Sequence, residues 1–462
     1  MAGLERLLDR QPERDRLEAA WSKTSAGDPQ LVVVWGRRRV GKTFLLSHVV
    51  RGKRSVFFGA TEQAEAIELD RLAEAVRRDL GAPTADLAGG GFASWEAALR
   101  FFVALARDQP LAVVLDEIPY IARSSRGFPS VVQVVWDHIP RDTRLMLVLT
   151  GSAVGTMEDV LGARGPLRGR PTETLKLEPL DLVQARAFLP RLEPAAVLEA
   201  YAACGGYPLH LRRWDQAAST QHNLERLAFT PGGVLLEDAA GILREELPGA
   251  AYGRVLGAIG RGRTRFSQIA SEATQRIEYP LEVLLRAGFV AKALPVGAPR
   301  GAPPTYEIAD PYLRFWFSVL YTDIPLVEAG QGASALRRRR ESWQGQLGAV
   351  FEAGARQHAA RLVRRGELPE QLIVGRWWAT RGEPCEVDVL GLDGGRTLLL
   401  GEARWQARPL GTRELEALRR KAARVPNPVD EPIYALWGRG GVDRAVRRAG
   451  ALGFDVAQVV RA

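Results

Sequence analysis

The segment GRRRVGKT, residues 36–43, constrains the fold of this chain more than any other feature. It matches the pattern G-x-x-x-x-G-K-[ST], with the apolar run LVVVWG before it and the helical pattern FLLSHVV after it. A continuous apolar run that stops at glycine is typical of a buried parallel strand. A strand, a glycine-framed loop and a helix in this order place main-chain N–H groups around a phosphate. The sequence therefore predicts a nucleotide-binding α/β domain.

The positions of this loop have expected roles. Glycine lets the backbone curl around the β-phosphate, and the helix N-terminus adds a positive dipole. Lys42 is expected to reach the β- and γ-phosphates, and Thr43 is expected to ligate Mg²⁺. The expected nucleotide-binding residues are Gly36, Arg37, Arg38, Arg39, Val40, Gly41, Lys42, Thr43 and Phe44.

A second apolar run, LAVVLDE, ends in Asp116 and Glu117. Ligands of open α/β sheets bind at the carboxyl ends of the strands, where the Asp116 carboxylate can hold the Mg²⁺ shell. Glu117 is placed to orient and deprotonate the attacking water. Lys42, Asp116 and Glu117 are therefore the first catalytic candidates. The alternative is that the two acids only cap the following helix.

Two further segments could contact the γ-phosphate. The strand-like run LMLVLTGS ends in Thr150, Gly151 and Ser152, and a hydroxyl there could sense the phosphate from a neighbouring strand. A simple strand-to-loop turn is the alternative. In GPLRGR, either Arg168 or Arg170 could reach the phosphate in the same subunit or across an interface. A solvated surface arginine is the alternative there.

The pattern of elements changes along the chain. Strand-like and helical segments alternate up to residue 180, which predicts a parallel sheet covered on both faces. After a helical stretch, three short amphipathic segments and two strand-like pieces describe a winged helix. Its recognition-helix segment, IEYPLEVLLRAG, is poor in basic residues, so packing as a lid competes with DNA reading. The expected domains are 1–180 (nucleotide-binding core), 181–247 (helical lid), 248–328 (winged helix) and 341–462 (C-terminal domain).

The C-terminal domain carries a second constellation of acids. Glu352 lies on a predicted helix, and Asp388 and Glu402 lie on two predicted strands separated by a short turn. Nucleases of the PD-(D/E)xK fold hold Mg²⁺ with such a set and use a lysine two residues after the last acid. That position is Arg404, which cannot release its proton. A slow Mg²⁺ nuclease, a domain that binds nucleic acid without cutting it, and a protein-interaction remnant therefore compete.

Bulk composition limits partners and compartment. The net charge is +9 and the pI about 9.8, which favours anionic partners such as nucleic acid. However, only six of the 63 basic residues are lysine, a skew that a GC-rich genome also explains. The two cysteines lie far apart, no apolar run has the roughly 18 residues of a membrane span, and the charged start is unlike a secretory signal. A cytoplasmic protein without membrane contact is expected.

The motifs GRRRVGKT, LDE, TGS, PLRGR, GGYP and IADPYLRFWF together resemble the prokaryotic AAA-like family called archaeal ATPases, relatives of the STAND signalling NTPases. The resemblance covers nearly the whole chain. It implies ATP and Mg²⁺ as ligands, a winged helix, and a restriction-endonuclease-like C-terminal domain. It also implies that Ser152 belongs to the sensor strand, that Arg170 is the arginine before strand five, and that Pro208 lies near the adenine. Asp9 and Arg10 resemble the N-terminal motif that flanks the base.

The expected fold class is α/β: an AAA-like P-loop NTPase with a parallel sheet, a helical and winged-helix region, and a PD-(D/E)xK-like domain. The expected function is a Mg²⁺-dependent ATPase whose nucleotide state drives the other domains on DNA. The alternative is a STAND-like regulatory switch that binds protein partners and carries an inactive nuclease-like domain. An oligomer or a protein partner is compatible with either hypothesis.

Overall fold

The computed structural model of the chain describes residues 7–81, 90–152, 154–162, 165–247, 249–379 and 382–461. The chain divides into two compact units, Met1–Pro179 and Leu180–Ala462. Within the described ranges, no helix combines the length and the apolar content that crossing a membrane requires.

The first unit alternates helices and strands. Its elements are α1 (Gln11–Ser25), β1 (Gln30–Trp35), α2 (Lys42–Val49), β2 (Ser55–Gly59), α3 (Glu65–Leu80), α4 (Trp95–Leu105), β3 (Leu111–Asp116), α5 (Ile118–Ser124), α6 (Phe128–Asp137), β4 (Leu145–Gly151), α7 (Val154–Leu161) and β5 (Glu173–Lys176).

The strands of the first unit form one parallel sheet in the order β2-β3-β4-β1-β5. Strands β3 and β4 are buried along their whole length, as their unbroken apolar sequences predicted. Because β4 lies between β1 and β3, the segment after β4 lies between the loop of residues 36–43, which follows β1, and Asp116 at the end of β3. The parallel α/β sheet predicted for this part of the chain is confirmed.

The core of the first unit includes a cluster of aromatic side chains on one side of the sheet. Trp95, the first residue of α4, packs edge-on against Phe128 with ring centroids 5.0 Å apart. Helix α4 starts there because the Ser94 side chain caps it by accepting a hydrogen bond from the backbone N–H of Ala97. Helices α4 and α6 are thereby held together beneath the sheet.

The second unit begins with helices and ends with a mixed sheet. Its helices are α8 (Leu182–Ala185), α9 (Pro194–Cys204), α10 (Pro208–Arg213), α11 (Thr220–Leu227), α12 (Val234–Glu246), α13 (Ala250–Gly260), α14 (Phe266–Ala273), α15 (Glu278–Arg286), α16 (Pro311–Phe315), α17 (Ile324–Glu328), α18 (Gly332–Arg338), α19 (Arg340–Arg364), α20 (Thr412–Lys421), α21 (Arg444–Arg448) and α22 (Val456–Val459). Its strands are β6 (Val290–Ala293), β7 (Thr305–Ile308), β8 (Ile373–Trp378), β9 (Glu386–Asp393), β10 (Arg396–Arg404), β11 (Pro428–Gly438) and β12 (Leu452–Asp455).

Helices α13, α14 and α15 precede an antiparallel hairpin of β6 and β7, in which Val290 pairs with Ile308. The order of three helices and a hairpin is the one that the sequence predicted. Leu281 and Leu284 of α15 are buried, whereas Tyr279 on the same helix is 68% exposed. The short helix α16 of the DPYLRFWF motif continues into a π-helical turn, Trp316–Leu320.

The C-terminal sheet has the order β12-β11-β10-β9-β8. Strands β8, β9 and β10 are antiparallel neighbours, and β10, β11 and β12 are parallel neighbours. The long helix α19 packs against β8, β9 and β10, and α20 packs against β9, β10 and β11. A mixed-sheet domain at this end of the chain is confirmed.

Candidate nucleotide-binding site

The loop between β1 and α2 depends on two glycines with backbone angles that other residues rarely adopt. Gly36 has φ 149°, and a Cβ at this position would lie 2.2 Å from the carbonyl oxygen of Leu177. Gly41, the N-cap of α2, has φ 96°. Both values fall where only glycine is free of steric strain. The loop therefore curls because the sequence supplies glycine at its first and sixth positions.

Lys42 and the loop backbone lie together. The Lys42 ammonium donates hydrogen bonds to the carbonyl oxygens of Gly36 at 2.8 Å and Arg37 at 3.1 Å. The side chain is buried within the loop. The ammonium group is therefore held at the loop that would receive a phosphate, where a lysine of this motif contacts the β- and γ-phosphates of a nucleotide.

Thr43 and Asp116 come from elements 73 residues apart and meet at the carboxyl edge of the sheet. The Thr43 hydroxyl donates to Asp116 Oδ2 at 2.7 Å, and the backbone N–H of Glu117 donates to Asp116 Oδ1 at 3.1 Å. Asp116 is only 5% exposed. A hydroxyl and a carboxylate are the hard oxygen donors that Mg²⁺ prefers beside a phosphate, so these residues fit that ion.

Glu117 follows β3 directly and has φ 61°, an unusual backbone angle for a residue other than glycine. Its Oε2 accepts hydrogen bonds from the Ser152 hydroxyl at 2.8 Å and from the Ser152 backbone N–H at 3.2 Å. The sequence predicted a role for each residue but not their contact. The signal was present, because β3 and β4 are parallel neighbours and both residues follow the ends of these strands.

Arg10 supports the loop from outside. It is 7% exposed, and its Nη2 donates to the Glu178 carbonyl at 2.5 Å and, at 3.4 Å, to the carbonyl of Val40 in the loop. Its Nη1 donates to Glu13 at 3.0 Å. Resemblance alone had placed this arginine beside the base. Its described contacts join the loop backbone to the segment after β5.

Arg170 is engaged by a carboxylate of the same unit. Its Nε and Nη2 donate to the two oxygens of Asp137, the last residue of α6, at 2.8 and 2.9 Å. This bidentate pair lowers the pKa of Asp137 below its ordinary value. A role for Arg170 at the γ-phosphate requires the guanidinium to leave Asp137, and stays a prediction.

Pro208 belongs to the second unit, where it is the first residue of α10. The two glycines before it are required by packing. A Cβ on Gly206 would lie 1.9 Å from the Leu180 carbonyl oxygen, and a Cβ on Gly205 would lie 2.9 Å from the Cβ of Tyr312. The GGYP segment therefore has a complete structural explanation, and the place of Pro208 near an adenine stays a prediction.

The acids of the C-terminal domain share one region of the second unit. Gly401 of β10 pairs with Val389 of β9, so that Glu402 and Asp388 follow side by side. Asp388 Oδ2 accepts a hydrogen bond from the Ala403 backbone N–H at 2.9 Å. Burial, reinforced by the charge of Glu402, raises the pKa of Asp388 to about 6. Burial, reinforced by the charge of Asp388, raises the pKa of Glu352 to about 7.

Glu402 forms ion pairs with two cationic side chains of the same domain. One oxygen forms an ion pair with Arg404, and the other accepts from Lys421 Nζ at 2.7 Å. Lys421 is the last residue of α20, and no local pattern indicates its contact with Glu402, because 19 residues separate the partners. An ammonium group therefore reaches the last acid even though Arg404 occupies the expected lysine position.

The arrangement of these acids does not by itself form a metal site. Across the described ranges, no group of three or more His, Cys, Asp or Glu side chains converges so that it could hold a metal ion. A second Mg²⁺ site at Glu352, Asp388 and Glu402 therefore has no support from side-chain positions and stays a prediction.

Two sequence families match parts of the chain. Residues 7–213 match a family described as an ATPase domain predominantly from Archaea, and residues 316–421 match one described as archaeal and bacterial proteins of unknown function. The uncharacterized protein MJECL04 of Methanocaldococcus jannaschii is 25% identical over 450 residues, which cover 94% of this chain and 95% of that protein. The uncharacterized protein MJ0424 of the same organism is 36% identical over 47 residues, which cover 10% of this chain and 46% of that protein.

Two solved structures are similar to part of the chain. The Walker-type ATPase PABY2304 of Pyrococcus abyssi has a TM-score of 0.48 and 21% identity, over 67% of this chain and 96% of that one. The ORC2 protein of Aeropyrum pernix, solved as ADPNP–ADP complexes, has a TM-score of 0.45 and 14% identity, over 70% of this chain and 95% of that one.

Proposed function

We propose that this chain, a member of the archaeal-type P-loop ATPases, hydrolyses Mg²⁺-ATP at the loop of residues 36–43 and uses the nucleotide cycle to control its second unit on DNA. The observation that carries the ATPase proposal is the 2.7 Å hydrogen bond between Thr43 and Asp116. It joins the loop to the acidic strand end at the point where a nucleotide-bound Mg²⁺ needs oxygen ligands.

The residues divide the work of hydrolysis. The main-chain N–H groups of the loop and Lys42 bind the β- and γ-phosphates and stabilise the charge that develops on them. Thr43 and Asp116 would hold Mg²⁺, which when bound neutralises phosphate charge. Glu117 orients the attacking water and accepts its proton. Glu117 Oε2 accepts a hydrogen bond from the Ser152 hydroxyl, and in this proposal the serine restrains the carboxylate until it moves to the water.

Two variants separate binding from hydrolysis. Lys42→Ala removes the only side-chain cation predicted to contact both phosphates, and we expect it to weaken ATP binding. Glu117→Gln keeps the shape of the side chain but removes the base, and we expect it to retain ATP while stalling turnover. Lys23→Ala, at an exposed lysine of α1, is the control. Normal turnover by Glu117→Gln would contradict the assigned role.

Action on DNA is proposed from charge and from the order of elements. The chain has a net charge of +9, and its α13–α15 segment with the β6–β7 hairpin has the element order of a winged helix. ATPase rates should then rise when DNA is added in the presence of Mg²⁺. Rates unchanged by any DNA or RNA, together with no binding of either at moderate salt, would argue against this part of the proposal. The proposed setting is the cytoplasm.

A regulatory switch that acts on protein partners is the second candidate. Helix α15 favours it, because its basic Arg286 is outnumbered by Glu278 and Glu282, and Tyr279 is 68% exposed. Both oxygens of Glu402 are paired with cations, which favours a C-terminal domain without nuclease activity. Recovery of a protein partner or a second copy of the chain that depends on ATP, with no nucleic acid, would support it.

Mg²⁺-dependent cleavage of nucleic acid is tested directly. Strand cleavage measured with Mg²⁺ and with Mn²⁺ should disappear in Glu402→Ala if the C-terminal acids perform it. Cleavage that persists in this variant would remove the C-terminal acids as its source.

A further inference from the structure

An open groove lies between the hairpin loop, residues 294–304, and strand β8 in the second unit. Its volume is about 210 Å³, and its walls include Trp377, Trp378, Arg424, Pro295, Pro299 and Pro426. Trp378 is half-buried, so part of its ring surface is available to a ligand, whereas Trp377 also packs against the hydrophobic core of the C-terminal sheet. The groove belongs to the second unit, whereas the nucleotide loop belongs to the first.

The groove is built by specific contacts rather than by loose packing. The Val296 backbone N–H donates to the Arg376 carbonyl of β8 at 2.9 Å. Position 375 of β8 requires glycine, because a Cβ there would lie 2.8 Å from the Val296 side chain. Position 297 requires glycine for the same reason, because a Cβ there would lie 2.5 Å from the Leu392 side chain. The loop is therefore fixed against the sheet, and the groove exists before any ligand arrives.

The chemistry of the walls suits an unpaired base with its phosphate. Any nucleobase can stack on a tryptophan ring, so this contact does not depend on the base sequence. The prolines extend the apolar wall of the groove. Arg424 supplies the one charge among the lining side chains named above. It pairs with Glu383 at 2.6 Å, but the two side chains are 50% and 78% exposed. Such a surface pair is weak, so the guanidinium can exchange this carboxylate for a phosphate.

Strand β8, which lines the groove, pairs with β9, the strand that carries Asp388. In the pairing of β8 with β9, Trp377 lies opposite Val387, and Trp378 opposite Glu386. Asp388 is the next residue of β9 after Val387. The guanidinium of Arg376 lies over the Trp378 ring, 5.6 Å from its centroid, and also pairs with Glu386. This cation covers one face of the ring, and a base would stack on the other.

We propose that this groove binds single-stranded nucleic acid, with an unpaired base stacked on Trp378 and a phosphate paired with Arg424. The inference rests on the proposed action on nucleic acid and is independent of ATP hydrolysis. A proline-rich peptide could also lie on exposed tryptophans. Nucleic acid is favoured because the chain carries +9 net charge, because the charged wall residue is a cation, and because the prolines already belong to the groove.

The test measures binding of a fluorescein-labelled oligothymidylate to the full chain by fluorescence anisotropy, beside a duplex of the same length. We expect Trp378→Ala to weaken single-strand binding by about 5- to 150-fold, the usual cost of losing one stacked base. Trp378→Phe should keep most of the affinity, and Arg424→Glu should weaken it and flatten its salt dependence. Trp21→Ala removes a half-buried tryptophan of α1 that also has a cation, Lys53, over its ring, and is the matched control. Melting curves and ATPase rates show whether each variant is folded.

The outcomes separate this inference from the proposed function. Wild-type affinity for the single strand in both Trp378→Ala and Arg424→Glu would overturn the inference, and unchanged duplex binding would leave the action on DNA in place. If the wild-type chain binds neither strand form, the inference and the action on DNA both fail, whatever the ATPase rate. Displacement of a proline-rich peptide from the same residues, without single-strand binding, would also overturn it.

Discussion

Replacing Ser152 by alanine tests how Glu117 is controlled. The Ser152 hydroxyl donates to Glu117 Oε2 at 2.8 Å, while the longer 3.2 Å bond comes from the backbone N–H, which the substitution leaves in place. A hydrogen bond to a charged group contributes about 1.5–3 kcal/mol, and about 1.4 kcal/mol corresponds to a tenfold change in population. Losing the hydroxyl should therefore raise the population of released Glu117 by about tenfold or more.

If release of Glu117 limits turnover, Ser152→Ala should raise kcat by about tenfold while the KM for ATP changes little, because the loop that binds the phosphates is untouched. The family resemblance gives the opposite expectation. If Ser152 contacts the γ-phosphate, its removal takes away an interaction that stabilises the transition state, and kcat should fall. Steady-state phosphate release over a range of ATP concentrations distinguishes the two. Ser152→Thr retains a hydroxyl and should behave as wild type, and Ser22→Ala, an exposed serine of α1, is the control. A lower or unchanged kcat in Ser152→Ala would refute the proposal that this serine restrains the base.

Two further predictions concern the loop and the C-terminal domain. Gly36→Ala should weaken ATP binding by at least about tenfold in calorimetry, because the new Cβ would lie 2.2 Å from the Leu177 carbonyl oxygen at a strained φ. The control, Gly59→Ala, should bind ATP normally, because its Cβ would meet nothing within 4 Å. Burial lowers the pKa of His358 from 6.5 to about 4, and its neutral ring accepts a hydrogen bond from Trp437 at 3.1 Å. Between these pH values the unfolded chain binds a proton that the native chain does not, so the melting temperature should fall as the pH drops from 6.5 to 4. The fall should be smaller in His358→Gln, and an equal fall in both proteins would contradict the assignment.

The phosphate loop and the acidic strand end could be predicted because their information is local. The apolar run before Gly36 fixes a buried strand, and the glycines fix the turn into α2. Asp116 and Thr43 then meet because the carboxyl ends of parallel strands lie at one edge of the sheet. The family resemblance read from these motifs is confirmed by the match of residues 7–213 to archaeal ATPase domains.

Side chains that act across the fold could not be predicted in the same way. Strand β8 went unrecognised because Gly375 interrupts its pattern, and this glycine is required by the hairpin loop that packs on it. The contact of Lys421 with Glu402 depends on the packing of α20 on the sheet. The pairing of Arg170 with Asp137 likewise joins elements that are distant in sequence. In each case the partner is chosen by tertiary packing, which no local pattern records.

A buried pair of side chains in the second unit also depends on tertiary packing that no local sequence pattern indicates. His210 of α10 lies 2.8 Å from Asp238 of α12 through its Nε2, and its Nδ1 faces the Cys204 carbonyl at 3.2 Å. Both ring nitrogens face oxygen atoms, so the ring is held from two sides. Tyr312 of the DPYLRFWF motif packs edge-on against this ring. The GGYP and DPYLRFWF segments thus meet in the core of the second unit, which explains why both stand out in the sequence.

Nucleotide binding by the intact chain is the most direct test of the central claim. Isothermal titration of the purified protein with ATP, ADP and GTP at fixed Mg²⁺ should show binding of ATP and ADP. The affinity for ATP should be at least about tenfold weaker in Lys42→Ala, because one cation that contacts two phosphates is lost. Heat signals indistinguishable from dilution for every adenine and guanine nucleotide would contradict the assignment of residues 36–43 as a phosphate-binding loop.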